Sequence, residues 1–358
     1  MKLFEPFMLG TLPLNNHLIM APLTRSRASA DGIHSDIAVT YYTQRASAGL
    51  IISEATAVSK QGSGYPHIPG IWNDAQEKAW SKITSAVHQE NGKIFIQLFH
   101  TGRIGHSSLL AEQPVSASDK TPEGEIMASD FSMKKYETPR ALPINEIPTI
   151  VAQFKNAAVH AKNAGFDGIE IHGANGYLID QFLRDGSNSR TDDYGGSIEN
   201  RARLLTEIIT AVIDVWGPQK VGVRLSPHNA FNSMSDSDPV TTFVEVSKIL
   251  NQFPLAYLHL MEPIGEHPFA AQKGSVRVTN RIREVYKSIL MVNGGINKEI
   301  GEEFLQEGKA DLICMGVPFI ANPDLVTRLK NNLPLAAPKY ELFYSGGEKG
   351  YIDYPNAG

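Results

Sequence analysis

Eight short apolar runs, most of them followed by a helix-like segment, constrain this chain more than any other feature. They are LIMAPLT (18–24), LIISEATAV (50–58), KIFIQLFH (93–100), GIEIHGA (168–174), KVGVRLS (220–226), YLHLMEP (257–263), LMVNGG (290–295) and LICMGV (312–317). Such near-continuous runs read as parallel strands covered on both faces, not as the alternating strands of a half-wetted sheet. Between them lie DAQEKAWSKITSAVHQENG (74–92), SIENRARLLTEIITAVIDVWG (197–217) and PDLVTRLKNN (323–332). The first closes on Asn-Gly and the last opens with proline at its expected first turn, both ordinary helix punctuation. Eight strands alternating with helices predict an α/β chain folded as a (β/α)8 TIM barrel. A six-stranded doubly wound sheet is the rival. It would carry a GxGxxG turn after its first strand, where this chain reads APLTRSR.

The segment FMLGTLPLNNHLI (7–19) reads as an N-terminal β-hairpin that closes the barrel floor. Residues 101–146 form a long insertion after strand three, the kind of segment that caps a site. The whole chain, 1–358, is expected to be one barrel domain. A net charge of −5 gives no reason to expect nucleic acid or an anionic membrane as partner. The single cysteine, Cys314, excludes an intramolecular disulfide framework and fits a reducing compartment. MKLFEPFMLG has no long apolar core, and no run approaches the roughly 18 apolar residues of a membrane helix. A soluble, cytoplasmic monomer or homodimer is the expectation.

Barrels of this kind place their sites at the C-terminal ends of the strands. Those ends carry Thr24, then Glu54-Ala55-Thr56, Gln97 with His100, and His172 with Asn175. Arg224, Glu262, Asn293-Gly294-Gly295 and Gly316 complete the series. Glycine turns after strands seven and eight suit a phosphate, because backbone N–H groups can approach an anion where no side chain intrudes. A phosphate-bearing cofactor is therefore expected. No metal is: the rim has no cysteine and no HxH or HExxH spacing. A nucleophile elbow for Ser-His-Asp chemistry is also missing. The stretch HGANGYL (172–178) brings His172, Asn175 and Tyr177 together where a strand stops, either as a plain turn or as a grip on a polarised oxygen.

Five stretches carry a resemblance: MAPLTRSRA (20–28), ISEAT (52–56), QLFHTGRIGH (97–106), HGANGYLIDQFLRDGSNSRTDDYGGSIENRARL (172–204) and FIANPDL (319–325). With them the chain, from about Phe4 to Tyr354, resembles the old yellow enzymes, FMN-dependent ene-reductases, in their N-ethylmaleimide and xenobiotic reductase-like branch. The resemblance implies FMN across the barrel mouth, lined by Pro22, Leu23, Thr24 and Ala55. Gln97 would pair with its pyrimidine ring, Arg224 would bring positive charge, and Gly294, Gly295, Gly316 and Val317 would surround its phosphate. His172 and Asn175 would hold the oxygen of an activated alkene, and Tyr177 would deliver a proton as general acid. Tyr65, Phe99 and Tyr351 would line the substrate pocket. NADPH or NADH would supply hydride in a ping-pong cycle, reducing α,β-unsaturated carbonyl or nitro compounds. Reduction of nitro compounds or nitrate esters, or mere binding of phenols and electrophiles, are the alternatives on the same scaffold.

Two positions depart from the family pattern. Phe99 stands where tryptophan is usual, which should widen one wall of the pocket. Val317 stands where arginine usually meets the phosphate, so looser FMN retention is expected. Thr24 places the chain with the threonine-bearing group, since another branch carries cysteine there.

Overall fold

The computed structural model describes residues 1–128, 130, 132–264 and 277–357. Eight parallel strands close into a barrel: β1 (Leu18–Met20), β2 (Leu50–Ala57), β3 (Ile94–Phe99), β4 (Gly168–His172), β5 (Val221–Leu225), β6 (Tyr257–Met261), β7 (Leu290–Asn293) and β8 (Leu312–Met315). Each pairs with the next, and β8 returns to β1. The outer helices are α1 (Asp36–Thr43), α2 (Asp74–Gln89), α3 (Ile147–Asn163), α4 (Ile198–Trp216), α5 (Pro239–Leu250), α6 (Val278–Val285), α7 (Lys298–Gln306) and α8 (Leu325–Asn331). This is the expected TIM barrel. β1 stops at Met20, so residues 21–27 run as irregular chain where the apolar run had suggested strand. α8 begins two residues past Pro323, and its Asp324 carboxylate accepts from Arg328 Nε at 2.7 Å.

Strand parity builds two cores. In β3, Ile94, Ile96 and Leu98 pack in the core shared with the helices, while Phe95 packs inside the barrel. Ile169 and Ile171 of β4 also join the outer core, which turns Glu170 and His172 toward the axis. The hairpin Phe7–Leu9 with Leu12–Leu14 sends Leu9, Leu12 and Leu14 against Ile19, Leu50, Phe95 and Met291, closing the floor as expected. The barrel interior is thus apolar below and polar above.

β2 contains a register shift between Ile52 and Ala55. The extra residue resets parity, so Leu50, Ile52, Ala55 and Ala57 all join inward-facing clusters. Glu54 is left on the helix side, where its carboxylate accepts from Tyr42 and from the Arg25 backbone N–H.

The insertion 101–146 holds a short helix, Ser107–Leu110, a parallel pair, Val115–Ser116 with Arg140–Ala141, and the hairpin Glu125–Met127 with Met133–Lys135. Arg103 donates to the carbonyls of Asn232 and Ser233 (3.1 and 3.0 Å), tying the insertion to the loop after β5. Near the C-terminus, Arg27 donates to the carbonyls of Leu342, Phe343, Ser345, Gly347 and Lys349, gathering that segment around one guanidinium. Among the described residues no helix is long and apolar enough to cross a membrane.

Candidate active site

The barrel mouth is built by β3, β4 and β5. Their register sets Gln97 beside Glu170 and His172 beside Arg224, all four pointing inward. Gln97 Nε2 donates to Glu170 Oε1 at 2.7 Å, and His259 of β6 contacts Glu170 Oε2 through Nδ1 at 2.8 Å. Arg224 Nη2 donates to Asn293 Oδ1 (3.1 Å), and Asn293 Nδ2 donates to the Cys314 carbonyl, linking β5, β7 and β8. Arg224 Nε and His172 Nδ1 are buried, with no partner among the described residues. A buried guanidinium nitrogen can only donate, so an acceptor belongs beside it.

Burial holds the His172 imidazole well below its usual range, and the positive charge of Arg224 adds to this. The ring is neutral at physiological pH and acts as a hydrogen-bonding group, not a cation. Asn175 sits in the left-handed region at φ +60°, a conformation asparagine tolerates. Its Oδ1 accepts from Asn229 Nδ2 (2.8 Å), which leaves the Asn175 amide N–H groups for another acceptor. Asp180 accepts the Gly176 N–H at 2.9 Å, and Gln181 Nε2 donates to the Gly176 carbonyl at 2.7 Å. The polar residues of IDQ (179–181) are therefore buried struts for the turn that carries Asn175 and Tyr177.

Tyr177 lies in an aromatic cage. Its ring meets His172 edge-on at 5.1 Å, Phe99 at 5.3 Å and Tyr65 at 6.3 Å, and its hydroxyl donates to Tyr65 at 3.3 Å. Phe99 lies nearly parallel to His172, with centroids 6.2 Å apart. Ala55, Ala57 and Ile68 complete the wall. Burial pushes the Tyr177 hydroxyl up to about 12, so it stays protonated through neutral pH.

Not every residue expected at the rim is there. Tyr351 is a correction: it is fully buried, stacked on Tyr41 with centroids 4.1 Å apart at 8°, and flanked by the guanidiniums of Arg25 and Arg27. Tyr344, seven residues earlier, is 65% exposed and near enough to Tyr177 to raise its pKa. Sequence reading passed over it. Glu54 faces Tyr42 and His34 on the helix side of β2. Glu262 accepts the Val278 and Thr279 N–H groups (2.7 and 2.9 Å) and so caps α6.

Pro22, Leu23 and Thr24 follow β1 as half-buried irregular chain at the mouth. Gly316 packs so closely that an added Cβ would lie 3.1 Å from Leu23. Gly294, at φ +119°, has a structural reason of its own: a Cβ there would lie 2.7 Å from Pro263 Cα. Gly295 adopts φ +69°, and Val317 opens a short helix, Val317–Ala321. Asp74, Glu77 and His160 are the one His/Asp/Glu group among the described residues spaced to hold an ion. They sit on α2 and α3, outside the barrel.

The donor set suits a flat heteroaromatic ring with acceptor atoms toward Arg224 and a donor–acceptor edge toward Gln97. The chain is similar to several known proteins. Residues 2–336 match the family model described as the NADH:flavin oxidoreductase / NADH oxidase family. The chain is 42% identical to 12-oxophytodienoate reductase 7 of Oryza sativa subsp. japonica, over 99% of this chain and 95% of that one. It is 40% identical to a probable flavin mononucleotide-dependent alkene reductase of Leishmania infantum, over 99% and 97%. An old yellow enzyme homologue from Zymomonas mobilis superposes with a TM-score of 0.97 at 43% identity, covering 99% of both chains. Morphinone reductase in complex with tetrahydroNAD superposes at 0.93 with 42% identity, covering 100% and 98%.

Proposed function

The chain belongs to the NADH:flavin oxidoreductase / NADH oxidase family, as an old yellow enzyme-like FMN oxidoreductase, and from that premise we propose that it reduces activated C=C bonds. FMN, when bound, would supply hydride-transfer chemistry between a reduced nicotinamide and an acceptor. Pro22, Leu23, Thr24, Ala55, Gln97 and Arg224 would hold the ring, with Gly294, Gly295, Gly316 and Val317 near its phosphate. The alkene reductase of Leishmania infantum supports an alkene as acceptor, and the tetrahydroNAD complex of morphinone reductase supports a nicotinamide donor, NADH or NADPH.

The chain's own residues provide oxygen binding and a proton. His172, neutral, and the free Asn175 amide donate hydrogen bonds to the carbonyl or nitro oxygen of the substrate. These bonds strengthen as the β-carbon accepts hydride and negative charge moves onto that oxygen. Tyr177 then gives its proton to the α-carbon, and the resulting phenolate is reprotonated through Tyr65 or solvent. The observation that carries the reading is the Tyr177 hydroxyl set inside the cage formed with His172, Phe99 and Tyr65.

Tyr177→Phe is the test. Loss of general acid catalysis should slow reduction of 2-cyclohexenone by about 10²–10⁴-fold. NAD(P)H oxidation with an alternative acceptor and binding of phenols should persist. Undiminished cyclohexenone turnover in Tyr177→Phe would remove Tyr177 as the donor.

A further inference from the structure

Glu170 is a charged residue in the middle of a barrel strand, fully buried and facing the axis. Leaving water costs a carboxylate several kcal/mol unless its partners compensate. Other interior positions, Phe95 on β3 and Met291 on β7, are filled by apolar side chains. An apolar residue could pack at 170 as well, so the carboxylate points to a task beyond filling space.

Its contacts identify that task. Oε1 accepts one N–H of the Gln97 amide at 2.7 Å, and Oε2 contacts His259 Nδ1 at 2.8 Å. A carboxylate only accepts, so Nδ1 carries the proton, and His259, held low by burial, is neutral. Gln97 has one N–H committed to Glu170, which leaves its carbonyl and second N–H for the mouth. Burial alone would raise the Glu170 pKa, but His259, Arg224 and Gln97 outweigh it and keep the group ionised. Arg224, which pairs with His172 one inward layer above, opposes that charge, and Glu170 in turn stabilises its guanidinium against burial.

We propose that Glu170 is a positioning residue for the redox cofactor: it orients the Gln97 amide and offsets the Arg224 charge, thereby lowering the reduction potential of bound FMN. Two-electron reduction of FMN held at this mouth would add negative charge that Arg224 would stabilise. An anion one layer below opposes that charge and favours the oxidised form. The proposal rests on FMN binding as read above but not on which acceptor the enzyme reduces.

The test is the potential of the purified, FMN-loaded protein, read by equilibration with a redox dye. Glu170→Gln keeps the shape and hydrogen-bonding capacity while removing the charge. It should raise the ratio of reduced to oxidised FMN affinity about tenfold, or ~30 mV for a two-electron couple. Flavin reduction by NAD(P)H should quicken and reoxidation should slow, an opposed change that simple loosening of the barrel would not produce. Glu170→Asp keeps the charge but withdraws it from Gln97. It should release oxidised FMN about fivefold or more faster, with the affinity ratio near that of the unmodified protein. An unmoved ratio in Glu170→Gln, or an unmoved release rate in Glu170→Asp, overturns the inference and leaves the ene-reductase reading intact. Failure of the unmodified protein to bind FMN overturns both, whereas bound FMN with no alkene turnover overturns that reading alone.

Discussion

A single phenol sets the alkaline limit for proton delivery. Tyr177, at about 12, lies above the ordinary phenol value of about 10, because burial penalises the phenolate. The oxidative half-reaction should therefore show no alkaline decline from Tyr177 up to about pH 10, nor an acid transition near 6.5 from His172, which is already neutral. A stopped-flow pH profile with an apparent pKa near 6.5 that vanishes in His172→Asn would contradict the second half. Val317 is the other decisive residue. With no guanidinium at the start of its short helix, FMN retention should improve in Val317→Arg. Fluorescence of flavin released on dilution would show it, and equal release from both proteins would end the idea. His172, Asn175 and Tyr177 were legible because they stand in one contiguous motif. Glu170 was also within reach, since it shares inward parity with His172, but an apolar run hides one charge. Tyr344 and Tyr351 were not separable, because both are loop tyrosines seven positions apart and only packing shows which one is buried.

At the scale of elements, the segment 173–184 decides how well the site is held. Gly176 has φ +76°, and a Cβ there would meet Asn232 Cβ and Met234 Cγ at 2.7 Å. Gly176→Ala should cost about 1–3 kcal/mol from the left-handed backbone alone, read as a lower urea midpoint. Because this turn carries Asn175 and Tyr177, turnover should fall in the same variant by more than its stability loss explains. Activity unchanged beside a lowered midpoint would show that the turn is structural only. Asp180, paired with Arg184 at 2.8 Å, and Gln181 fasten the turn from below. Their polarity reads as solvent exposure in the sequence, yet both are fully buried. Helix periodicity could not show this, because the loops they support come from distant parts of the chain.

For the whole molecule, buried imidazoles set the response to acid. His34 and His100 are both held at about 3 by burial, against about 6.5 in the unfolded chain. The unfolded state binds their protons first, so their contribution is intact above pH 6.5 and is lost as pH falls toward 3. Glu54 runs the other way. Burial pushes it up to about 7, so its contribution is present below about 4.5 and lost as pH rises toward 7. Between about pH 6.5 and 4.5 the two histidines outweigh it, and below about pH 4.5 Glu54 no longer opposes them. Urea midpoints should therefore fall gently from about pH 6.5 to 4.5 and more steeply below that. His100→Asn should flatten the acid limb, and a slope unchanged by that substitution would exclude His100 as a cause.

The amino-acid sequence by itself determined the eight strands, their order, the hairpin floor and the cluster at the end of β4. These depend on local hydrophobic period and on residues adjacent in the chain. Tertiary structure alone decided which charges face the cofactor side. A one-residue bulge turns Glu54 away, a helix end claims Glu262, and barrel register brings Glu170 beside Gln97 and one inward layer below Arg224. Those outcomes depend on parity and on partners far apart in sequence, which a linear pattern does not encode.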